Sequence, residues 1–231
     1  MQHFFINQEL NKSSIKILEK DLIHQMKDVL RFRVGEKIML LDNKGEKAKG
    51  IIKNINREFV EIDIDKQFKC EQPKKIVRLY MALSKKPATF ELIIQKATEL
   101  GVNEIIPITT SRCQVQNIRN LERHLAIIKE AAEQSERCFL PILKDTITFA
   151  DLISNPPKGL ILAGDARMFD KKLKEMDLSG KNEIDVIIGP EGGLTNEEIE
   201  SIKKTGGAIF SLGGNVLRME TATIAALAII I

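Results

Sequence analysis

The stretch Leu212-Gly213-Gly214-Asn215-Val216-Leu217-Arg218-Met219-Glu220-Thr221-Ala222 leads from an apolar run, Ala208–Leu212, into an apolar segment, Thr221–Ile231. A second loop of the same kind lies upstream, where Ile188-Gly189-Pro190-Glu191-Gly192-Gly193 follows the apolar run Ile184–Ile188. Short apolar runs bounded by glycine read as buried strands. In open α/β sheets, ligands bind beyond the carboxyl ends of the strands. Glycine there lets a ligand approach the main chain closely. Neither loop has the GxGxxG or GxxxxGK[ST] spacing, so a dinucleotide fingerprint and a phosphate-cradling P-loop are both unsupported. Taken singly, Gly189–Gly193 would be a tight turn, Glu191 a solvated acid, and Arg218 with Glu220 a surface pair worth little. The combination points to a site: two glycine loops, each after a strand, holding an Arg and two Glu.

Working outward, the chain after Pro73 alternates strands and helices. Ile76–Leu83, Val102–Ile108 and Leu160–Ala163 are further predicted strands. Phe90–Leu100 is a predicted helix with Phe90, Ile93, Ile94, Ala97 and Leu100 along one stripe, ending at Gly101. Leu121–Glu136 is another, with Leu121, Leu125, Ile128 and Ala132 expected inward. Thr195 and Glu198 form a capping box for a helix that ends at Gly206-Gly207. Thr221–Ile231 is a final helix, apolar on nearly all sides, so more than one face should be buried. This alternation predicts an α/β fold with a parallel sheet covered on both faces.

Before about Gln72 the pattern is different. Phe4–Ile6, Lys37–Leu41, Gly50–Ile55 and Phe59–Ile64 read as short strands, the last with Val60, Ile62 and Ile64 on one face. One helix, near Asp21–Leu30, interrupts them. Short strands with a single helix suggest a small β-barrel, so two domains are expected, 1–72 and 73–231.

Net charge is +3 over 231 residues, but residues 1–72 carry +2, 73–137 carry +4 and 138–231 carry −3. A basic excess in the first two thirds suits a phosphate backbone and leaves the last third for a small-molecule pocket. Cys70, Cys113 and Cys138 are odd in number and widely spaced. They predict neither a disulfide framework nor a zinc site, and no metal is expected. The start lacks the charged and apolar regions of a signal peptide, and Ile224–Ile231 is too short to span a bilayer. A soluble, cytoplasmic protein without membrane attachment is expected.

IGPEGGLTNEEIE followed by LGGNVLRMETATIAAL closely resembles the ribosomal RNA methyltransferases that form N3-methyluridine on 16S RNA of the small subunit. The resemblance covers nearly the whole chain. It includes Lys85, the stretch Gln95–Val102, Arg112, Arg123, Glu133–Arg137, His24 and the stretch Val29–Arg31 with Arg33 and Gly35. His3, Ile23, Asn215, Val216 and Met219 depart from the family's usual residues, while Arg218, Glu220 and Thr221 keep to them. The family belongs to the SPOUT methyltransferases. The resemblance therefore implies a SPOUT domain with a C-terminal trefoil knot, preceded by a PUA-like β-barrel, in a homodimer.

It also implies S-adenosylmethionine as cofactor and assigns residues to it. Leu162, Ala163 and Gly164 would hold it from the first loop, and Ile188, Gly189, Pro190, Glu191, Gly192 and Gly193 from the second. Leu212, Gly213, Val216, Leu217, Arg218, Met219, Thr221 and Ala222 would hold it from the third. Catalysis is expected from Arg218, Glu191 and Glu220. Uridine N3 carries a proton at neutral pH, so a carboxylate must remove it or a fixed cation must stabilise the anion. Contacts to 16S rRNA or the small subunit are expected from His3, His24, Arg31, Arg33, Lys85, Arg112 and Arg123, with Lys37, Lys86 and Arg119 as further phosphate contacts. A non-catalytic RNA-binding factor and a SPOUT enzyme acting on transfer RNA are the rival readings.

Overall fold

The computed structural model describes residues 1–167 and 171–231. It falls into two compact units. One is Met1–Gln72 with Ala132–Leu140, and the other is Pro73–Ala131 with Pro141–Ile231.

The first unit holds strands β1 (His3–Phe5), β2 (Ser14–Ile17), β3 (Lys37–Leu41), β4 (Glu46–Ile55) and β5 (Val60–Lys69) in a sheet of order β1-β3-β4-β5-β2. β1 pairs parallel with β3, and the other pairs are antiparallel. Helix α1 (Lys20–His24) passes directly into a π-helical turn (Gln25–Val29), so the single predicted helix is two pieces. Leu22, Ile23 and Met26 bury against Phe4, Ile15, Leu40, Ile52 and Ile62. Gly50 lies so close to Ile62 that a side chain there would displace it, and the β4–β5 register shifts at this point. Such a bulge bends and coils the sheet.

Ala132–Leu140 belongs to this unit through several contacts. Ala132, Cys138 and Leu140 pack on Phe5 and Leu41. The Phe5 N–H donates to Glu133 Oε1 at 3.0 Å, and the Leu140 N–H donates to Asn43 Oδ1 at 2.7 Å. Cys70 and Cys138 form a disulfide, with Cα atoms 6.1 Å apart. This corrects the expectation of unpaired cysteines, because tertiary packing returns Cys138 to the strand-rich unit across 68 residues of sequence. A cross-link closing so long a loop restricts the unfolded chain strongly. Reducing it, or replacing Cys70 and Cys138 by Ser, should lower the free energy of unfolding by about 2–4 kcal/mol. Urea denaturation with and without reductant measures this, and coincident midpoints would refute it.

The second unit carries β6 (Ile76–Ala82), β7 (Glu104–Thr109), β8 (Ile142–Leu143), β9 (Ile147–Thr148), β10 (Leu160–Gly164), β11 (Glu183–Ile188) and β12 (Ala208–Phe210). They lie in the order β12-β10-β11-β6-β7-β8, with β9 on β7, and every pair is parallel. Helices α2 (Pro87–Leu100), α3 (Leu121–Gln134), α4 (Phe149–Ser154), α5 (Asn196–Lys204) and α6 (Met219–Ile230) connect or flank them. α2 starts with Pro at its first turn and stops at Gly101, whose φ of +108° suits only glycine well. α5 begins at the predicted Thr195–Glu198 capping box. No helix among the described residues is long and apolar enough to cross a membrane.

Two helix faces differ from expectation. On α3, Leu121 and Leu125 are 48% and 47% exposed, while His124, Ile128 and Ala131 turn inward. The pattern of leucines misled because a histidine occupies the core position. On α6, Met219, Thr223, Ala226, Leu227 and Ile230 are buried, but Ile229 is 44% exposed.

His124 packs edge-on against Phe90 with ring centroids 4.9 Å apart, and its Nδ1 has no hydrogen-bond partner among the described residues. Burial lowers its pKa; Glu91 opposes that and Arg123 adds to it. The folded state therefore holds His124 neutral where the unfolded chain would already take up a proton. This contribution to stability is present above the ordinary value of 6.5 and lost as pH falls through the lower folded value. Melting temperature should thus decline from about pH 7 to about pH 5, and His124→Phe should flatten that slope. An unchanged slope in the variant would refute the assignment.

Candidate functional site

The carboxyl ends of β10, β11 and β12 open into one cleft of about 610 Å³. Three loops line it: Gly164–Arg167 after β10, Gly189–Leu194 after β11, and Leu212–Arg218 after β12. Ile188, Leu194, Phe210, Leu217 and Met219 give it an apolar lining. Lys86 and Thr89, at the start of α2, complete a further wall. Pockets of this volume with a few converging polar groups are usual for small-molecule sites.

The loop after β11 is folded back on itself. A Cβ on Gly189 would come within 3.0 Å of the Leu194 nitrogen, so the turn closes only around glycine. Gly193 takes a left-handed φ of +72°. Two anchors fix the loop. Arg112 Nη1 donates to the carbonyls of Gly192 at 2.6 Å and Leu194 at 3.1 Å. Glu198 accepts from the Thr195 N–H at 2.8 Å and, through its other oxygen, from the Ser111 N–H at 2.8 Å. Within the cleft, Glu191 Oε1 accepts a 2.6 Å hydrogen bond from Ser84 Oγ.

The structure brings Glu191, Arg218 and Glu220 to this one cleft. Arg218 is exposed and stands in extended backbone at the start of α6. Among the described residues no ion pair joins it to Glu220 or to another carboxylate, so its charge is free to meet a ligand.

Of the residues assigned to a cofactor, Gly164, Ile188, Gly189, Pro190, Glu191, Gly192, Gly193, Leu212, Val216, Leu217, Arg218, Met219 and Ala222 all line the cleft. Leu162 and Ala163 do not, because they are buried within β10. Gly213 faces a smaller neighbouring pocket, and Thr221 is exposed outside the cleft lining. Sequence reasoning missed Thr89, Asp165, Ala166, Arg167, Leu194, Phe210 and Asn215, and took Lys86 only for a phosphate contact. The string Gly-Asp-Ala-Arg directly after a buried strand was a usable signal: Asp165 Oδ1 accepts from the Arg167 N–H, shaping a turn.

The residues assigned to RNA are placed less uniformly. Arg31, Arg33, Lys37, Lys85 and Arg119 are exposed. His24 is exposed and bonded to Asp28 at 2.8 Å. His3 is buried and faces Glu136 at 3.8 Å, so it offers no surface to a nucleic acid. Arg112 is engaged by the loop carbonyls described above. Arg123 holds Glu91 through two bonds of 2.6 and 2.7 Å, which lowers the Glu91 pKa.

With this geometry in hand, comparisons with known proteins are decisive. The family model of an RNA methyltransferase domain matches residues 70–231, and that of an RNA methyltransferase PUA domain matches 18–65. The ribosomal RNA small subunit methyltransferase E of Rickettsia conorii is 33% identical over 97% of this chain and 92% of its own. The chain belongs to the ribosomal RNA small subunit methyltransferase E family. The Bacillus subtilis member is 28% identical over 100% of this chain and 96% of its own. The solved structure of the Neisseria gonorrhoeae member, bound to S-adenosyl methionine, superposes with a TM-score of 0.89 at 26% identity, covering 99% of this chain and 95% of that one. A family member with this cleft is an RNA methyltransferase.

Proposed function

We propose that this protein transfers a methyl group from S-adenosylmethionine to N3 of a uridine in 16S ribosomal RNA of the small subunit. The observation that carries the reading is the convergence of Glu191, Arg218 and Glu220 on one glycine-lined cleft at the strand ends.

The cleft fits the cofactor. It combines apolar walls with exposed main chain from three loops, as an adenosyl group attached to an amino acid requires. Ile188, Gly189, Gly193, Leu212 and Leu217 would hold the adenosine, leaving the polar side chains for substrate. When bound, S-adenosylmethionine supplies a methyl group on a positively charged sulfur, activated towards a nucleophile. The protein's own task is to align the nitrogen with that methyl and to remove its proton. Glu191 accepts the N3 proton. Arg218 sets its guanidinium against the carbonyl oxygen where negative charge collects.

Arg112 acts at one remove, by keeping the carbonyls of Gly192 and Leu194 in place. Arg112→Ala should weaken cofactor binding about 10-fold, the equivalent of ~1.4 kcal/mol, without unfolding the protein. Calorimetric titration measures it; unaltered affinity would leave Arg112 no part in shaping the loop.

Residues 1–72 act as a PUA-like barrel that docks RNA through the exposed Arg31, Arg33 and Lys37, and Lys85 contributes from the 73–231 methyltransferase domain. The knot is assigned to residues 160–231, where β10 lies between the later strands β11 and β12. Ile229, with the exposed Ala228 beside it on α6 and Ile231 just beyond the helix, is assigned to the interface of a homodimer, which light scattering would detect. A soluble cytoplasmic enzyme suits a ribosomal substrate. Mass spectrometry of 16S rRNA from cells with and without this protein tests the function. Loss of one methyluridine supports it, and an unchanged RNA overturns it.

A further inference from the structure

The candidate base and its support come from distant parts of the sequence. Ser84 lies in the loop between β6 and α2, and it is buried. Its Oγ accepts a hydrogen bond from the Lys86 N–H at 3.1 Å and stands 2.6 Å from Glu191 Oε1. A serine hydroxyl has one proton to give. With Lys86 donating to the oxygen, that proton is directed to the carboxylate. Lys86 is also the N-cap of α2, the residue just before Pro87, so Glu191 is linked through Ser84 to the positive end of a helix of 14 residues.

The two oxygens of Glu191 are consequently unequal. Oε1 is engaged, while Oε2 accepts no hydrogen bond among the described residues and remains available in the cleft. Arg112 holds the main chain of the same loop from the other side. Neither constraint applies to Glu220, for which no hydrogen bond or ion pair fixes the carboxylate among the described residues. A general base must be held to within a fraction of an ångström of its productive position.

We propose that Ser84 is the positioning residue for Glu191, fixing Oε1 so that Oε2 meets the substrate N–H. This rests on Glu191 being the base in the reaction proposed above. In that step the N3–H bond breaks, its proton passes to Glu191 Oε2, and the electron pair left on N3 forms the new bond to the methyl carbon. The carbon–sulfur electrons return to sulfur, which becomes an uncharged thioether.

Single-turnover methyl transfer to small-subunit particles from cells lacking the protein, at saturating S-adenosylmethionine, tests it. Ser84→Ala should lower the rate constant about 10-fold with cofactor and particle affinities unchanged, because it disturbs alignment and not binding. Ser84→Thr, which keeps the hydroxyl, should restore most of the rate. In a Glu191→Gln background, Ser84→Ala should cost nothing further, since coupled residues are not additive. An undiminished rate in Ser84→Ala, or a full additional loss in the Glu191→Gln background, would overturn the proposal. So would a loss of cofactor affinity matched by a lower melting temperature, which marks a purely structural serine. If Glu191→Gln alone leaves the rate intact, the base itself has been misassigned, and that outcome is distinct from a failure of Ser84 alone.

Discussion

Glu191→Gln should reduce turnover by about 10²–10⁴ while leaving cofactor affinity within about twofold of the parent. The amide keeps the shape of the side chain and can still accept the hydrogen bond from Ser84 Oγ. It cannot accept the proton that uridine N3 must lose. The defect should narrow at alkaline pH, where solvent has already ionised part of the uridine. A steady-state pH profile beside calorimetric cofactor titration measures both. Unchanged turnover would remove Glu191 from the mechanism. If Glu220→Gln produced the loss instead, the proton would be passing to the other carboxylate of the cleft.

Arg218→Lys should also leave the cofactor bound and slow the reaction, by about 10²–10³, because a pre-placed cation opposite developing charge is among the larger catalytic terms. Lysine keeps the charge but not the planar fork of donors. Arg218 is exposed and has no carboxylate partner among the described residues, so the substitution breaks no ion pair seen in the structure. A purely structural role would therefore show as a lower melting temperature and weaker cofactor binding together. Turnover that falls alone, and recovers in part at high pH, identifies stabilisation of the deprotonated base. Turnover equal to the parent's would refute the assignment.

Much of the parallel sheet was legible because its strands are short apolar runs closed by glycine or proline, a signal that does not depend on distant contacts. The strand Ser14–Ile17 was not, since Ser-Ile-Lys-Ile offers only two apolar residues and gains its place by pairing with β5. α3 was located, and Ile128 and Ala132 are buried as expected, but its first turns were misjudged because Leu121 and Leu125 outweighed His124 in any hydrophobic count. In the cleft, the glycine loops and the charged residues within them announced themselves. Ser84 did not: a lone serine after a strand is unremarkable until Glu191, 107 residues later, is placed beside it. The part Arg112 plays in holding the loop was hidden for a related reason. A guanidinium that binds carbonyls of its own chain and one that binds phosphate look the same in sequence. The disulfide is the extreme case, since only the return of Ala132–Leu140 to the first unit brings Cys138 to Cys70.

The order of the three cleft loops along the chain bears on how the enzyme comes into being. The β10 loop is synthesised first, the β11 loop next, and Leu212–Ala222 last, yet all three are walls of one cavity. A nascent chain still short of Leu212 has no complete cavity to occupy and lacks both Arg218 and Glu220. Translation that stops early therefore leaves a chain without a closed cleft. Each polypeptide has its complete cleft only after a ribosome has carried it past this final loop.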